Sequence, residues 1–124
     1  MSDVQVKGID QIEAYSGPGE REGIKFRAVG RALGVSAWGM NAIEMAPGTS
    51  TYPEHDHAED GQEEVFFVAR GSATLRTGDG EREVESGELV RVGPGEKRKW
   101  IAGDSGVTLL AIGGTPGKAY EPRS

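Results

Sequence analysis

The sequence predicts an antiparallel all-β domain, and three observations support this prediction. Glycine is abundant, with 20 residues, and 6 prolines add further turn-forming positions. Runs of β-branched and aromatic residues recur at short intervals between these turns, which is typical of sandwiches and barrels. No long stretch keeps the apolar period of a helix. The 124 residues fit a single domain, 1–124, with one modest core.

Each strand is predicted where β-forming residues run between turn residues. Val35–Met45 is apolar on both faces, which indicates burial on both, either within a barrel or under a partner subunit. Val107–Ile112 is the most apolar run and is expected at the centre of the sheet. Thr77-Gly-Asp-Gly-Glu predicts a tight hairpin, because glycine supplies the positive φ of such turns. The other predicted pieces are an edge element at Ile9, Ile12 and Tyr15, strands at Ile24–Val29, Val65–Ala69, Ser72–Thr77, Arg82–Glu85, Glu88–Val92 and 97–101, and an irregular tail from Gly113 to Tyr120.

Charge and composition narrow the class of partner. The chain has 20 acidic and 14 basic residues and a formal charge of −6, which argues against nucleic acid or an anionic membrane as the main partner. It has no cysteine, so disulfides and thiolate metal sites are excluded. It has neither a run of 18 apolar residues nor the apolar region of a signal peptide, so we predict a cytoplasmic protein.

The two histidines of the chain, His55 and His57, are separated by one residue. On a strand they would point to the same face. A turn-like segment, Ala58–Gln62, follows, and Glu63-Glu64 then opens the next strand, which can bring a carboxylate back beside the imidazoles. Two imidazoles and a carboxylate with open positions suit Fe(II) and related divalent metals. The competing interpretation is a solvated loop that binds nothing.

This stretch resembles the first motif of the cupin superfamily, in which a glycine precedes His-x-His, a glutamate follows, and a second glycine comes six residues after the glutamate. Counting back from Gly71 identifies Glu64 rather than Glu63 as the motif carboxylate. Extra residues before His55 and after His57 fall in expected loops, where insertions cost little.

The second cupin motif resembles Gly87–Ala102 without a gap. Three positions differ from the family pattern. Gly93 stands in place of the first proline, Arg98 in place of the metal-binding histidine, and Ala102 in place of the asparagine. The usual four-ligand metal site is therefore impossible in this chain.

The resemblance covers about residues 35–113 and implies an antiparallel jelly-roll (cupin) barrel with an N-terminal arm and a C-terminal tail. It implies one divalent metal ion (Fe, Mn, Zn or Ni) bound in the barrel cavity by His55, His57 and Glu64, at a site that is incomplete relative to the family. It also implies a small-molecule ligand and a homodimer.

Arg98 has three competing interpretations. It pairs with Glu64 and replaces the metal, since guanidinium and carboxylate form a strong bidentate contact. Alternatively, it stands beside a three-ligand metal and binds the carboxylate or phosphate of a small ligand. In the third interpretation the strand is shifted, and Arg98 reaches solvent together with Lys97 and Lys99.

Two classes of function remain open, so whether the protein is an enzyme is not decided. One is a metal-dependent enzyme with dioxygenase-like or isomerase-like chemistry, as the resemblance allows. The other is a non-catalytic small-molecule binding or sensor module, with or without metal, and the missing fourth ligand favours it. Four apolar residues either line the ligand pocket or fill the core: Trp38, Met40, Phe66 and Trp100.

Overall fold

The structure, a computed structural model, describes residues 3–121. Its strands are β1 (Ile24–Arg27), β2 (Gly39–Met45), β3 (Glu63–Thr77), β4 (Gly80–Glu85), β5 (Leu89–Val92) and β6 (Lys99–Gly114), with a 3-10 turn at Ile9–Gln11 and a short helix α1 at Val29–Leu33. The strands pair antiparallel in the order β1-β2-β6-β3-β4, and β5 pairs with β3. The predicted all-β antiparallel class is confirmed.

Two long strands, β3 and β6, form the centre of the sheet. They pair from Glu63–Gly114 to Arg76–Lys99, and the register shifts near Gly71, where residues 103–106 of β6 bulge out of the ladder. Bulges bend strands and increase their twist. The first half of β3 also pairs with β5 and the second half with β4, so the bend lets one strand serve two parts of a curved sheet.

Because β3 and β6 each continue through their bulges, several strand boundaries predicted from the sequence are wrong. The predicted strands Val65–Ala69 and Ser72–Thr77 are parts of β3, because Gly71 accommodates a bulge rather than a turn. In the same way, the predicted strand Val107–Ile112 and residues 99–101 of the predicted strand 97–101 are parts of β6, whereas Arg98 precedes it and forms an isolated bridge with His55. The central position expected for Val107–Ile112 is confirmed, since β6 lies between β2 and β3.

Inward-facing residues of the strands form one main apolar core. Along β3, Phe66 and Val68 are completely buried, as alternation on a half-buried strand requires. The buried members of this core are Ile43, Met45, Tyr52, Phe66, Val68, Ala73, Leu75, Val84, Val92, Trp100, Ala102, Val107, Leu109 and Ala111.

The other face of β2 is covered by the chain's own N-terminal region. Met40 and Ala42 pack in a second apolar cluster with Ile12 and with Val29 of α1. The apolar character of both faces of β2 therefore has an explanation within one chain, without a partner subunit. The strand begins at Gly39 rather than at the predicted Val35.

The beginning of the described chain is attached to the sheet by polar contacts. Arg27 Nη1 donates a hydrogen bond of 2.6 Å to the Ile12 carbonyl oxygen, and Ala14 forms a β-bridge with Arg27. The predicted strand Ile24–Val29 is shorter than expected: β1 ends at Arg27, and Val29 begins α1. In residues 3–121 no helix is both long and apolar enough to cross a membrane.

Candidate metal centre

The segment that carries the histidines runs beside the start of β6. The Ala102 amide donates to the Thr49 carbonyl oxygen at 2.9 Å. Nearer the site, His55 and Arg98 exchange two backbone hydrogen bonds, of 2.9 and 3.2 Å. His55 and His57 thus lie in an extended segment with one isolated bridge rather than in the regular strand that would have placed them on one face. Their imidazole rings still approach each other, with centroids 5.2 Å apart.

Glu64 reaches the imidazoles from β3. Strand alternation turns Glu63 outward, where it pairs with Arg91 at 2.7 Å, and turns Glu64 to the inner face. His57 Nε2 lies 3.4 Å from Glu64 Oε1. One candidate ligand atom from each of His55, His57 and Glu64 lies within 4.8 Å of the others. The structure therefore brings together the three residues that the sequence singled out.

The hydrogen bonds of the two Nδ1 atoms determine which ring nitrogen of each histidine can bind a metal ion. His55 Nδ1 is 2.9 Å from the Pro53 carbonyl oxygen, and His57 Nδ1 is 3.2 Å from Asp60 Oδ2. Carbonyl and carboxylate oxygens only accept hydrogen bonds, so both Nδ1 atoms carry the proton. In the neutral rings both Nε2 atoms then keep their lone pairs, which is the tautomer that metal-binding histidines adopt.

This tautomer places two acceptors face to face. The lone pair of His57 Nε2 and Glu64 Oε1 are 3.4 Å apart, and Glu64 Oε1 is a buried atom without a hydrogen-bond partner. Two facing acceptors repel each other, and a cation between them, either a proton or a metal ion, removes this repulsion. His55 adds a third atom with a free lone pair to this group, so the three side chains fit the ligand set of a divalent metal ion.

Arg98 lies at the same site. Its side chain is completely buried, so the interpretation in which it reaches solvent is wrong. Nη1 is 3.8 Å from Glu64 Oε1, and Nη2 donates to the Gly93 carbonyl oxygen at 2.9 Å. The contact with Glu64 is an ion pair at a distance too long for a hydrogen bond, so the bidentate pair considered from the sequence is not formed.

Tyr52 is a further polar group beside the histidines. Its ring centroid is 5.6 Å from that of His55, and the residue is 6% exposed. Burial raises the pKa of the Tyr52 phenol above its ordinary value of 10.0; the Glu64 carboxylate adds to this shift, and Arg98 opposes it. The phenol therefore stays protonated at neutral pH and can donate a hydrogen bond.

The four residues predicted to line a pocket have different positions. Phe66 and Trp100 lie two residues beyond Glu64 and Arg98, are completely buried, and contact each other with ring centroids 5.3 Å apart. Trp38 is 45% exposed and borders an outer groove with Glu63 and Val65, on the opposite face of β3 from Glu64. Met40 packs in the second apolar cluster. The structure does not bring Trp38 or Met40 to the histidines.

Three contributors to the site were not recognised from the sequence. Asp60, which orients His57, sits three residues after it in the predicted turn, and this spacing was the available signal. For Tyr52, the sequence contained no feature that indicated a role at the site. Gly113 pairs with Glu64, and a Cβ there would come within 2.6 Å of Gln62 Oε1 and 3.3 Å of Glu64 Cγ, so glycine leaves room for both side chains.

Comparison with known proteins identifies the family of the chain. A family model described as a cupin domain matches residues 41–113, more than half of the chain. The chain therefore belongs to the cupin superfamily, and the resemblance seen in its two motifs is confirmed. No curated protein matches the chain significantly.

Solved structures show the same fold at low sequence identity. A sugar phosphate isomerase of the cupin superfamily from Silicibacter pomeroyi has a TM-score of 0.75 and 24% identity, over 88% of this chain and 74% of that one. A cupin 2 conserved barrel domain protein from Salinispora arenicola has a TM-score of 0.71 and 18% identity, over 90% and 89%. A predicted oxalate decarboxylase from Thermotoga maritima has a TM-score of 0.70 and 17% identity, over 88% and 97%. The predicted jelly-roll barrel is confirmed.

Proposed function

We propose that this protein binds one divalent metal ion through His55 Nε2, His57 Nε2 and the Glu64 carboxylate, together with a small organic ligand. The observation that supports the proposal best is the pair of facing acceptors, His57 Nε2 and Glu64 Oε1, 3.4 Å apart. Both histidines are held in the metal-binding tautomer by acceptors behind them.

The donor set narrows the choice of metal. Two imidazoles and one carboxylate are the ligands of non-haem Fe(II) sites with open positions, and they also suit Mn, Zn or Ni. A bound divalent ion supplies Lewis-acid polarisation to an oxygen atom of the ligand. This chain's own residues would orient that ligand, with the protonated Tyr52 phenol as a hydrogen-bond donor and Arg98 as a cation.

A metal-free protein is the second candidate. In it Arg98 takes the place of the metal and neutralises Glu64. The ion pair between Arg98 Nη1 and Glu64 Oε1, at 3.8 Å, favours this candidate. However, neither atom has a hydrogen-bond partner. A guanidinium that replaced the metal would be expected to bond Glu64 directly, so we rank the metal-binding function first.

Elemental analysis tests the proposal. The protein is purified without chelators or an affinity tag, and its metal content is measured beside that of His57→Ala and Glu64→Gln. We expect close to one metal ion per wild-type chain and a loss of most of it in both variants, because each removes one of three ligands. Glu63→Gln is the matched control, since Glu63 faces outward and pairs with Arg91.

Circular dichroism shows whether each variant is folded, so that loss of metal is not confused with unfolding. If the wild-type protein contains no metal even after incubation with Fe(II), Mn(II), Zn(II) or Ni(II), the metal-binding proposal is wrong and the metal-free candidate replaces it. If Glu63→Gln loses metal as completely as Glu64→Gln, the assignment of Glu64 is wrong.

We also propose that the protein is a homodimer. The support is a set of exposed apolar side chains on the outer face of β3 and β5 and in the loop before β2, namely Val65, Leu89 and Trp38. Exposed apolar residues that cluster on one face commonly mark an interface.

A further inference from the structure

Arg98 carries more hydrogen-bonding capacity than the protein uses. A guanidinium has five N–H donors. One nitrogen, Nη2, donates to the Gly93 carbonyl oxygen, whereas Nη1 and Nε are buried and have no hydrogen-bond partner. A buried donor without a partner destabilises the protein, and more so when the group is charged. Native proteins rarely leave such donors unpaired, and a bound water, ion or ligand completes them.

The backbone holds Arg98 in this position. Its amide and carbonyl groups both bond to His55, so the residue is attached to one of the candidate metal ligands. The bond from Nη2 to Gly93 then orients the guanidinium, which leaves Nη1 directed toward Glu64. The unpaired Nη1 therefore faces the same site as the candidate metal ligands, without a conformational change of the backbone.

The charges at the site favour an anion. Imidazoles bind a metal ion as neutral ligands, and the charge of the Glu64 carboxylate is offset by the Arg98 guanidinium. A divalent ion bound there would keep its two positive charges, apart from the partial compensation by Asp60, whose side chain is 40% exposed. Buried charge requires a counter-charge. A neutral ligand would leave the site positive, whereas an anionic ligand would neutralise it.

We propose that Arg98 binds an anionic oxygen, of either a carboxylate or a phosphate group, on the small molecule that shares the cavity with the metal ion. This inference rests on the proposed metal-binding function and adds the chemical class of the ligand. Arg98 is then the residue that determines specificity for anions. The site has partial access to solvent, since the side chains of His57 and Glu64 beside Arg98 are 17% and 13% exposed.

Calorimetric titration of the metal-loaded protein tests this inference. The probes are glycolate, inorganic phosphate, and ethylene glycol, which is the uncharged counterpart of glycolate. We expect the wild-type protein to bind glycolate or phosphate, and the preferred probe tells whether the group is a carboxylate or a phosphate. Ethylene glycol should bind at least roughly 10-fold more weakly, because its hydroxyl oxygens carry no negative charge and form no ion pair with the guanidinium.

The variant Arg98→Met keeps most of the side-chain volume and removes the donors. We expect it to retain the metal and to lose anion affinity by roughly 10- to 100-fold, the range for a hydrogen bond to a charged group. Lys97→Met is the matched control, since Lys97 is the exposed basic neighbour, and it should keep its anion affinity. Metal content is measured on every sample.

The outcomes separate the two proposals. Wild-type protein that holds metal but binds neither anion, or binds it as weakly as Arg98→Met, overturns the role of Arg98 and leaves the metal proposal standing. Wild-type protein without metal overturns the proposed function, and this inference with it.

A measurement on the unaltered chain guards against a misfolded variant. In the Zn(II)-loaded wild-type protein, the ¹⁵N resonance of Arg98 Nε should shift on addition of the preferred anion and not on addition of ethylene glycol. No shift at saturating anion would overturn the inference.

Discussion

At the scale of single residues, Asp60 orients the His57 ring. Its Oδ2 accepts the Nδ1 proton of His57, and its Oδ1 accepts the Gln62 amide at 3.0 Å, which stabilises the turn after the histidine. A side chain outside the candidate ligand set thereby decides which His57 nitrogen faces Glu64. Such partners behind the ligands affect metal binding through orientation and tautomer.

Asp60→Asn should therefore weaken metal binding by roughly 10- to 100-fold, the range seen for groups behind metal-binding histidines. The amide can donate to His57 Nδ1 and so favour the tautomer with its proton on Nε2. Competition with a metal-sensitive dye measures the change. Asp56→Asn is the control, because Asp56 accepts the Ala58 amide in the same loop. Equal weakening in both variants would mean that loop stability, not the tautomer, is responsible.

Among the strands, β3 needs a glycine at position 71 for its bulge and bend. Gly71 has a φ of +75°, and a Cβ there would overlap the carbonyl oxygen of Gly106 on the neighbouring strand. The bulge at this point allows β3 to bend and pair on both sides of the bend. Glu64 lies on one half of this strand, and the pairing with β4 lies on the other half, so the bend connects the site to the rest of the barrel.

Gly71→Ala should destabilise the protein by about 2–4 kcal/mol, since it combines an unfavourable φ with a backbone clash. Gly48→Ala is the matched control: its φ is +71°, but no atom lies within 4 Å of the added Cβ. The control should cost about 1–2 kcal/mol, from the backbone conformation alone. Urea unfolding measures both values. Equal losses in the two variants would contradict the close packing of Gly71 against β6.

At the scale of the whole molecule, the exposed apolar residues raise the question of assembly. The N-terminal region already covers the second face of β2, so a partner is not needed there. Trp38 and Val65 instead border an outer groove of about 370 Å³ with Ile112. This face remains open in the isolated chain.

We expect the protein to form a dimer of twice the 13.1 kDa chain mass, and Trp38→Ser to shift it toward the monomer, because the indole contributes a large apolar area. Light scattering coupled to size-exclusion chromatography measures the mass. Phe26→Ser is the control, since Phe26 is 39% exposed on β1. A monomeric wild-type protein would refute the predicted dimer.

The sequence by itself determined the fold class, the positions of most strands along the chain, and the residues His55, His57 and Glu64 as a group. These predictions succeeded because they rest on local properties. Counting back from Gly71 in the cupin motif selected Glu64 rather than Glu63, and glycines at turns placed the hairpin between β3 and β4. The cupin motif spacing added the identity of the barrel.

Only the tertiary structure decided the burial of Arg98, the outward position of Trp38, and the continuity of β3 and β6 through their bulges. Each depends on pairing between distant segments. Arg98 faces Glu64 because the histidine segment bonds to the start of β6, across more than 40 positions of sequence. Local propensity contains no information about such contacts, since the free energy that selects them comes from burial and pairing across the sheet.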